Sequence, residues 1–232
     1  YAIETAVNEI AAELKMDPCK IREMNMVKEG QTMETYYGEP CNSCTLDKCM
    51  AKAKEMIDWD SKYPARKLDN GHIRSVGVAM AMQGSGISGV DIANAEIRLN
   101  DDGFYTLLIG CTDMGTGCDT ILSQMAADCL DCDIDKIAVR GVDTDQSPYD
   151  TGSYASSTTY VTGMAVVKTC QELREKILET GCKLLGIDKE KSDFDGEKVF
   201  DLETGKSVSL SEIGYASFEG HNKSLSASCS HS

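Results

Sequence analysis

The sequence predicts an α+β fold: helices packed on one face of a mixed β-sheet, with an N-terminal helical lobe beside it. Three observations lead there. Apolar residues recur at helical spacing through the opening segments. After residue 70 the pattern becomes strand, hairpin, helix, strand, helix. Within that run, Ala95-Glu96-Ile97-Arg98-Leu99 alternates apolar and polar as a half-buried strand does. A length of 232 residues suits one large domain or two small ones, with enough chain to bury a core. The expected division is a helical lobe over 1–68, continuing an upstream cofactor-binding domain, and an α+β domain over 69–232 that is incomplete at its C-terminus.

Each element has a local cause. Ile3, Ala6, Val7, Ile10, Ala11 and Leu14 form the apolar stripe of a first helix over 2–15. Asp17 and Pro18 start a second, with Asp17 as N-cap and Pro18 in the first turn, and Gly30 ends the segment. Residues 31–40 read as loop. A third helix is expected over 45–58, with Leu46, Met50, Ala53 and Ile57 on one face. Pro64 and Asp69-Asn70-Gly71 mark the change of character. Residues 73–82 read as a strand, and Gly84-Ser85-Gly86 breaks it. Asn100-Asp101-Asp102-Gly103 makes a hairpin turn between strands at 95–99 and 104–109. Ile121, Leu122, Met125, Ala126 and Leu130 share one face of a helix over 117–131. A short strand over 136–142 follows, then a helical stretch over 155–185 that opens on an irregular turn. Glu203-Thr204-Gly205 turns a small hairpin within 198–210. A helix over 210–216 follows, with Ser209 or Ser211 as N-cap. The chain closes on the run from Ser224 to Ser232, with no element after it.

Hydrophobic residues make up 41% of the chain and charged ones 26%, the balance of a globular protein. A net charge of −15 argues against nucleic acid, which needs a basic footprint, and against an anionic membrane surface. No apolar run approaches the ~20 residues that span a bilayer. The chain opens on Tyr1 directly into a helical pattern, so both ends read as cut and the chain as an internal piece of something larger. Its 11 cysteines are an odd number and follow no secretory leader. Reduced thiols in a cytoplasmic setting are the simpler reading.

Two segments carry the chemistry. The first is Gly110-Cys111-Thr112-Asp113-Met114-Gly115-Thr116-Gly117-Cys118-Asp119-Thr120, between a buried strand and a helix. Gly115 and Gly117 permit close backbone approach to a ligand, and the helix start offers N–H groups and a positive dipole end suited to an anion. Alone, a Gly-x-Gly before a helix is weak evidence and reads better as a structural loop. The second is Pro148-Tyr149-Asp150-Thr151-Gly152-Ser153-Tyr154-Ala155-Ser156-Ser157-Thr158-Thr159-Tyr160, also between a strand and a helix. One N-cap needs a single hydroxyl, and Ser156, Ser157, Thr158 and Thr159 exceed that need. Alone it also reads as a polar capping loop. Together the two segments can face one ligand from two sides.

Asp113-Met114-Gly115-Thr116-Gly117, with Thr120, Gln124 and Ala126-Ala127 behind it, resembles the second cofactor-contacting loop of the xanthine dehydrogenase and aldehyde oxidase family. The next cofactor loop of that family is similar to Asp143-Thr144, Ser147-Pro148, Gly152-Ser153-Tyr154-Ala155-Ser156-Ser157 and Gly163-Met164-Ala165-Val166. Residues 1–25 resemble the family helix that follows its substrate loop, and residues 228–232 the lead into the next domain. Ala81-Met82-Gln83-Gly84-Ser85-Gly86-Ile87 and Tyr154-Ala155-Ser156-Ser157 look closest to clostridial-type xanthine dehydrogenases and nicotinate hydroxylases.

The resemblance implies the molybdopterin-binding portion of a molybdenum hydroxylase acting on N-heterocycles of the purine type, with water as oxygen source. The cofactor would be molybdopterin with molybdenum, in plain or cytosine dinucleotide form. By the resemblance, Met114, Gly115, Thr116 and Gly117 would wrap the pterin or its phosphate side. Tyr154 and Ala155 would lie near metal and substrate, and Ser156, Ser157 and Thr158 would bond pterin or phosphate. Thr116 departs from the family, which mostly has Gln there; a hydroxyl reaches less far, and a water can fill the gap. The implied partners are the remaining segments of the molybdenum subunit, iron–sulfur and FAD subunits or domains, and a heterocyclic substrate. The family's base glutamate, substrate-clamping arginine and first cofactor loop have no counterpart in this chain. Glu4, Glu9 and Glu13 read as the solvated face of the opening helix. The piece is therefore expected to be inactive and cofactor-free alone.

Other groups have plainer readings. Cys41, Cys44 and Cys49 form C-x2-C-x4-C, short of the four ligands of structural zinc, and Cys129 and Cys132 form a lone C-x2-C. His72, His221 and His231 are scattered. Asp143, Asp145 and Asp150 fit no calcium loop and read as turn formers. The acidic run over 189–197 reads as a solvated loop. Two other classes remain beside the hydroxylase: a stand-alone cofactor-binding or assembly module without catalysis, and a thiol-based metal or redox protein built on Cys41, Cys44 and Cys49.

Overall fold

The computed structural model describes residues 1–34, 38–85, 90–221 and 224–232, with the side chains of 220 and 221 left aside. Gly86 and Ile87 of the clostridial-like motif lie outside the described residues. The chain divides into two compact units, 1–82 and 83–232.

The first unit begins with α1 (Ala2–Glu13) and α2 (Pro18–Asn25). Asp17 caps α2 as expected, its carboxylate accepting the Cys19 N–H at 2.7 Å and the Trp59 indole N–H at 2.9 Å. Strands β1 (Thr32–Met33) and β2 (Glu39–Pro40) pair antiparallel where a loop was expected. Next come α3 (Leu46–Ile57) and the single turn α4 (Trp59–Lys62). A minimal hairpin, β3 (Arg66–Lys67) with β4 (Ile73–Arg74), follows. The strand expected over 73–82 is thus strand only at its first two residues, and the rest has no ladder partner in this unit. Its residues serve packing instead: Val76, Val78 and Met80 lie against a small core of Cys19, Met50 and Trp59. Glu4 is not simply solvated. Its carboxylate accepts Arg22 Nη2 at 2.7 Å, Arg22 Nε at 2.9 Å and the Met80 N–H at 2.7 Å.

The second unit is built on a four-stranded mixed sheet. Its strands are β5 (Ala93–Leu99), β6 (Tyr105–Ile109), β7 (Ile137–Gly141) and, after two intervening helices, β11 (Leu225–His231), in the order β11-β5-β6-β7. β6 and β7 run parallel, joined by α5 (Cys118–Leu130). The long α6 (Thr158–Leu185) follows β7. One face of the sheet, with Ala95, Ile97, Leu99, Tyr105, Leu107 and Ile109, packs on Leu122, Ala126 and Leu130 of α5 and Ala165, Val166, Leu173 and Ile177 of α6. That is the expected layering, with the alternation along β5 deciding which face is buried. A second antiparallel sheet of β8 (Ser192–Phe194), β9 (Lys198–Asp201) and β10 (Ser207–Ser209) flanks α6. The chain then enters α7 (Leu210–His221). Ser209 caps it: its hydroxyl accepts the Glu212 N–H at 3.3 Å while Glu212 accepts the Ser209 N–H at 2.8 Å, a reciprocal capping box.

One expectation is overturned here, and one element appears that had not been assigned. The acidic run holds a 3-10 turn (Lys189–Lys191) and then β8, because Phe194 is buried against the core. The serine-rich tail is strand β11, in register from Leu225↔Leu99 to His231↔Ala93. It lacks the apolar alternation that announces a strand; the open edge of β5 supplies its partner, and Ala227 turns inward. Among the described residues no helix is long and apolar enough to cross a membrane.

Candidate functional site

The parallel pair β6 and β7 ends together, at Ile109 and Gly141 in register. Each is followed by one of the two polar segments, so both leave the sheet at its carboxyl end, where open α/β sheets place their ligands. The second segment crosses that end toward β5. Asp150 bridges Ala93, the Thr151 N–H donates to the Ile92 carbonyl at 3.1 Å, and Asn94 donates to the Tyr149 carbonyl at 2.6 Å. The first segment is tied to it through one side chain. Ser153 Oγ accepts the Thr112 N–H at 3.0 Å and donates to the Thr112 carbonyl at 2.7 Å. At the crossing the backbones touch: a Cβ on Gly110 would lie 2.3 Å from the Pro148 carbonyl oxygen. A cleft of about 550 Å³ opens beside the crossing, lined by Thr112, Val142, Asp143, Ser147 and Tyr149 among others. Val142 holds a φ of 53° there, a left-handed conformation that is costly for a β-branched residue.

The sequence-expected residues divide by environment. Met114, Gly115 and Thr116 are exposed, and Gly117 is the left-handed N-cap of α5 at φ 74°. Cβ atoms built on Gly115 and Gly117 would meet nothing within 4 Å, so the backbone there is open to an approaching group. Its N–H groups are already in use. The Asp113 carboxylate accepts Gly115 N–H at 2.9 Å and Gly117 N–H at 3.1 Å, and these bonds hold its pKa below the ordinary value. Asp113 thus holds the two glycine amides that lead into α5.

Around the second segment, Ala155 and Ser156 both take positive φ, at 50° and 60°, which turns the chain sharply into α6. Ser157 is buried, and its hydroxyl donates back to the Tyr154 carbonyl at 2.9 Å instead of capping the helix. Thr158, the first residue of α6, therefore starts a helix whose N-cap side chain makes no capping bond. Tyr154 is partly exposed, and the Asp91 carboxylate beside its hydroxyl raises the phenol pKa. Asp150 fixes the segment from below, accepting Gly152 N–H at 2.7 Å and the Thr162 hydroxyl at 3.1 Å. Asp113, Ser153 and Asp150 organise the two segments; the sequence placed Asp113 and Ser153 in the motifs without a role and read Asp150 only as a turn former. Their signal was an Asp or Ser two residues before a glycine or turn, which also fits any ordinary loop.

These features suit a polar cofactor with an anionic part: exposed glycine backbone on one loop, an uncapped helix start on the other. Asp119 and Cys118 also bring ligand atoms within 4.8 Å of Asp113, a grouping common without any ion.

Comparison with known proteins shows the family. The profile of the molybdopterin cofactor-binding domain matches residues 52–232. The chain belongs to this family. It is a molybdopterin-binding domain of the xanthine dehydrogenase and aldehyde oxidase type, as the loop motifs imply. A probable hypoxanthine oxidase of Escherichia coli is 39% identical over 198 residues, covering 80% of this chain and 20% of that protein. A putative xanthine dehydrogenase molybdenum-binding subunit of the same organism is 31% identical over 189 residues, covering 80% and 25%. The chain thus spans about a quarter or less of the length of the curated relatives it matches. Among solved structures, CO dehydrogenase from Oligotropha carboxidovorans superposes over 100% of this chain and 32% of its own, at 20% identity and a TM-score of 0.55. That likeness is one of fold.

Proposed function

We propose that this molybdopterin-binding domain supplies part of the cofactor cradle of a molybdenum hydroxylase acting on purine-type N-heterocycles. The observation that carries the reading is the convergence of the two strand-to-helix loops at one end of β6 and β7, tied by Ser153 and Thr112. Met114, Gly115, Thr116 and Gly117 hold the pterin side of the cofactor with open backbone. Tyr154 and Ala155 face the metal and substrate region. Ser156 and Thr158, with the uncapped start of α6, receive the phosphate or its dinucleotide extension. Ser157 acts through its backbone, since its hydroxyl is committed to the Tyr154 carbonyl. When bound, the cofactor supplies the redox centre; this chain's residues bind it, orient it and shield it.

In this reading the base glutamate, the substrate arginine and the iron–sulfur and FAD partners lie on other segments or subunits. Residues 1–68 continue a neighbouring cofactor-binding segment. The names of the relatives, a hypoxanthine oxidase and a xanthine dehydrogenase subunit, support a purine substrate. The 232-residue chain alone is expected to purify without molybdenum or pterin and without activity. The test is the full polypeptide that carries this chain. Gly117→Val places a branched side chain where backbone must approach the cofactor, and should lower molybdenum and pterin content together. Full occupancy in that variant, with the fold intact, refutes the cradle.

A further inference from the structure

The hairpin of β3 and β4 carries a charge pattern that the cofactor reading does not use. From Lys62 to Arg74 the basic residues are Lys62, Arg66, Lys67 and Arg74, against the single acid Asp69, in a chain whose net charge is −15. Arg66 and Arg74 are direct register partners, so both guanidinium groups leave the same face of the ladder. Lys67 and Ile73, the adjacent pair, leave the other face. Beyond them the Leu68 N–H donates to the His72 carbonyl at 2.8 Å, and the Asn70 side chain accepts the His72 N–H at 3.1 Å. The turn is thus held by its own atoms. Residues 69–75 are all exposed, Ile73 at 75%. Like charges directly opposite each other destabilise a ladder, and this one is only two residues long on each side. Elsewhere the chain answers its arginines with acids: Arg22 meets Glu4 at 2.7 Å and Arg98 meets Glu96 at 2.6 Å. Among the described residues, Arg66, Lys67 and Arg74 have no such ion pair.

We propose that this hairpin is a tongue that docks into an acidic groove on a second polypeptide. Charge complementarity sets the chemistry of the partner. The paired guanidinium groups present planar forks that match carboxylates. Ile73, on the opposite face, adds an apolar contact, and arginine together with apolar side chains is a common interface composition. A small anion is the poorer occupant, because such ligands take concave sites and both strands of the tongue are exposed. Nucleic acid and an anionic membrane are poorer as well. An extended polyanion would run on over the rest of this acidic chain, which repels it, whereas a protein groove ends where the tongue ends.

The probe is a fluorescein-labelled hexaglutamate peptide, titrated with the folded 232-residue chain at low ionic strength and followed by fluorescence anisotropy. Chain and peptide are both acidic, so binding requires a local cationic site. The expected result is saturable binding that is lost at about 0.5 M salt, where exposed charges are screened. Arg66→Ala combined with Arg74→Ala should weaken it about tenfold or more. Lys198→Ala combined with Lys206→Ala removes the same charge from exposed lysines of the second unit, and should leave affinity within about twofold. A readout without substitution guards against a misfolded variant. Bound peptide should shield Arg66 and Arg74 from phenylglyoxal, read by mass spectrometry, while the exposed Arg140 stays reactive. The proposal is overturned if the peptide does not bind, if both double variants weaken binding equally, or if Arg66 and Arg74 are not shielded. Shielding of the pair by inorganic phosphate at equal ionic strength, or by phosphatidylserine vesicles, assigns a small anion or a membrane instead and overturns it equally.

Discussion

Gly110→Ala tests the crossing on which the site depends. The added Cβ would lie 2.3 Å from the Pro148 carbonyl oxygen, 2.7 Å from Asp150 Cβ and 3.2 Å from the Asp150 nitrogen. Two of these atoms are backbone, so no rotamer change relieves them. The 148–150 strand of chain must retreat by about 1 Å to reach ordinary contact, an overpacking that costs about 1–3 kcal/mol. That retreat also pulls Ser153 from Thr112, and each of their two hydrogen bonds is worth about 0.5–1.5 kcal/mol. The expected loss is therefore about 2–6 kcal/mol in the second unit. Urea unfolding followed by far-UV circular dichroism measures it. Amide exchange should speed up at Thr112 and Thr151 while β5 stays protected. Gly117→Ala is the control. Its φ of 74° imposes strain of about 1–2 kcal/mol, but its Cβ meets open space, so exchange at Thr151 should not change. Stability within about 0.5 kcal/mol of the parent, with exchange unchanged at Thr112, would refute the packed crossing for Gly110→Ala.

Gly181→Ala drives a Cβ to 2.5 Å from Val199 Cβ, where α6 meets β9, and should destabilise by about 1–3 kcal/mol despite the better helix propensity of alanine. Adding Val199→Gly, which removes the Cβ, should recover part of that loss in a double-mutant cycle, and additive losses would show that the two residues do not collide. Asp113→Ala removes the acceptor for Gly115 and Gly117, so both amides should exchange faster while β6 is unaffected; unchanged exchange would mean that water serves equally well. Glu4 carries a pH signature. The Met80 N–H, then Arg22, hold its pKa below the ordinary carboxylate value. A depressed folded pKa contributes stability that is present above the unfolded value and lost as pH falls through the folded one. Emission from Trp59, the chain's single tryptophan and a buried one, should therefore report a steeper acid loss in the parent than in Glu4→Gln. Parallel acid limbs in the two proteins would count against that role.

The sequence by itself determined whatever depends on neighbours a few residues apart. Alternation made β5, Asn100 to Gly103 made its hairpin with β6, and apolar periodicity made α5 and α6. Asp17 at an N-cap and Ser209 three residues before Glu212 set helix starts, because those bonds close within one turn. The loop motifs identified the family because Gly115, Gly117 and the hydroxyl run lie consecutively in the chain. Only the tertiary structure decided the rest. β11 became a strand because β5 has a free edge, a fact stored more than a hundred residues away from Ser226. Glu4 acquired its place from Met80, 76 residues on. Asp113 turned out to occupy the N–H groups that seemed reserved for a ligand, and Ser157 to spend its hydroxyl on Tyr154. Above all, the parallel register of Ile109 with Gly141 brings the two loops to one end of the sheet. Local patterns encode which atoms can bond nearby. Contacts between distant segments depend on strand order and register, and those exist only once the whole sheet has formed.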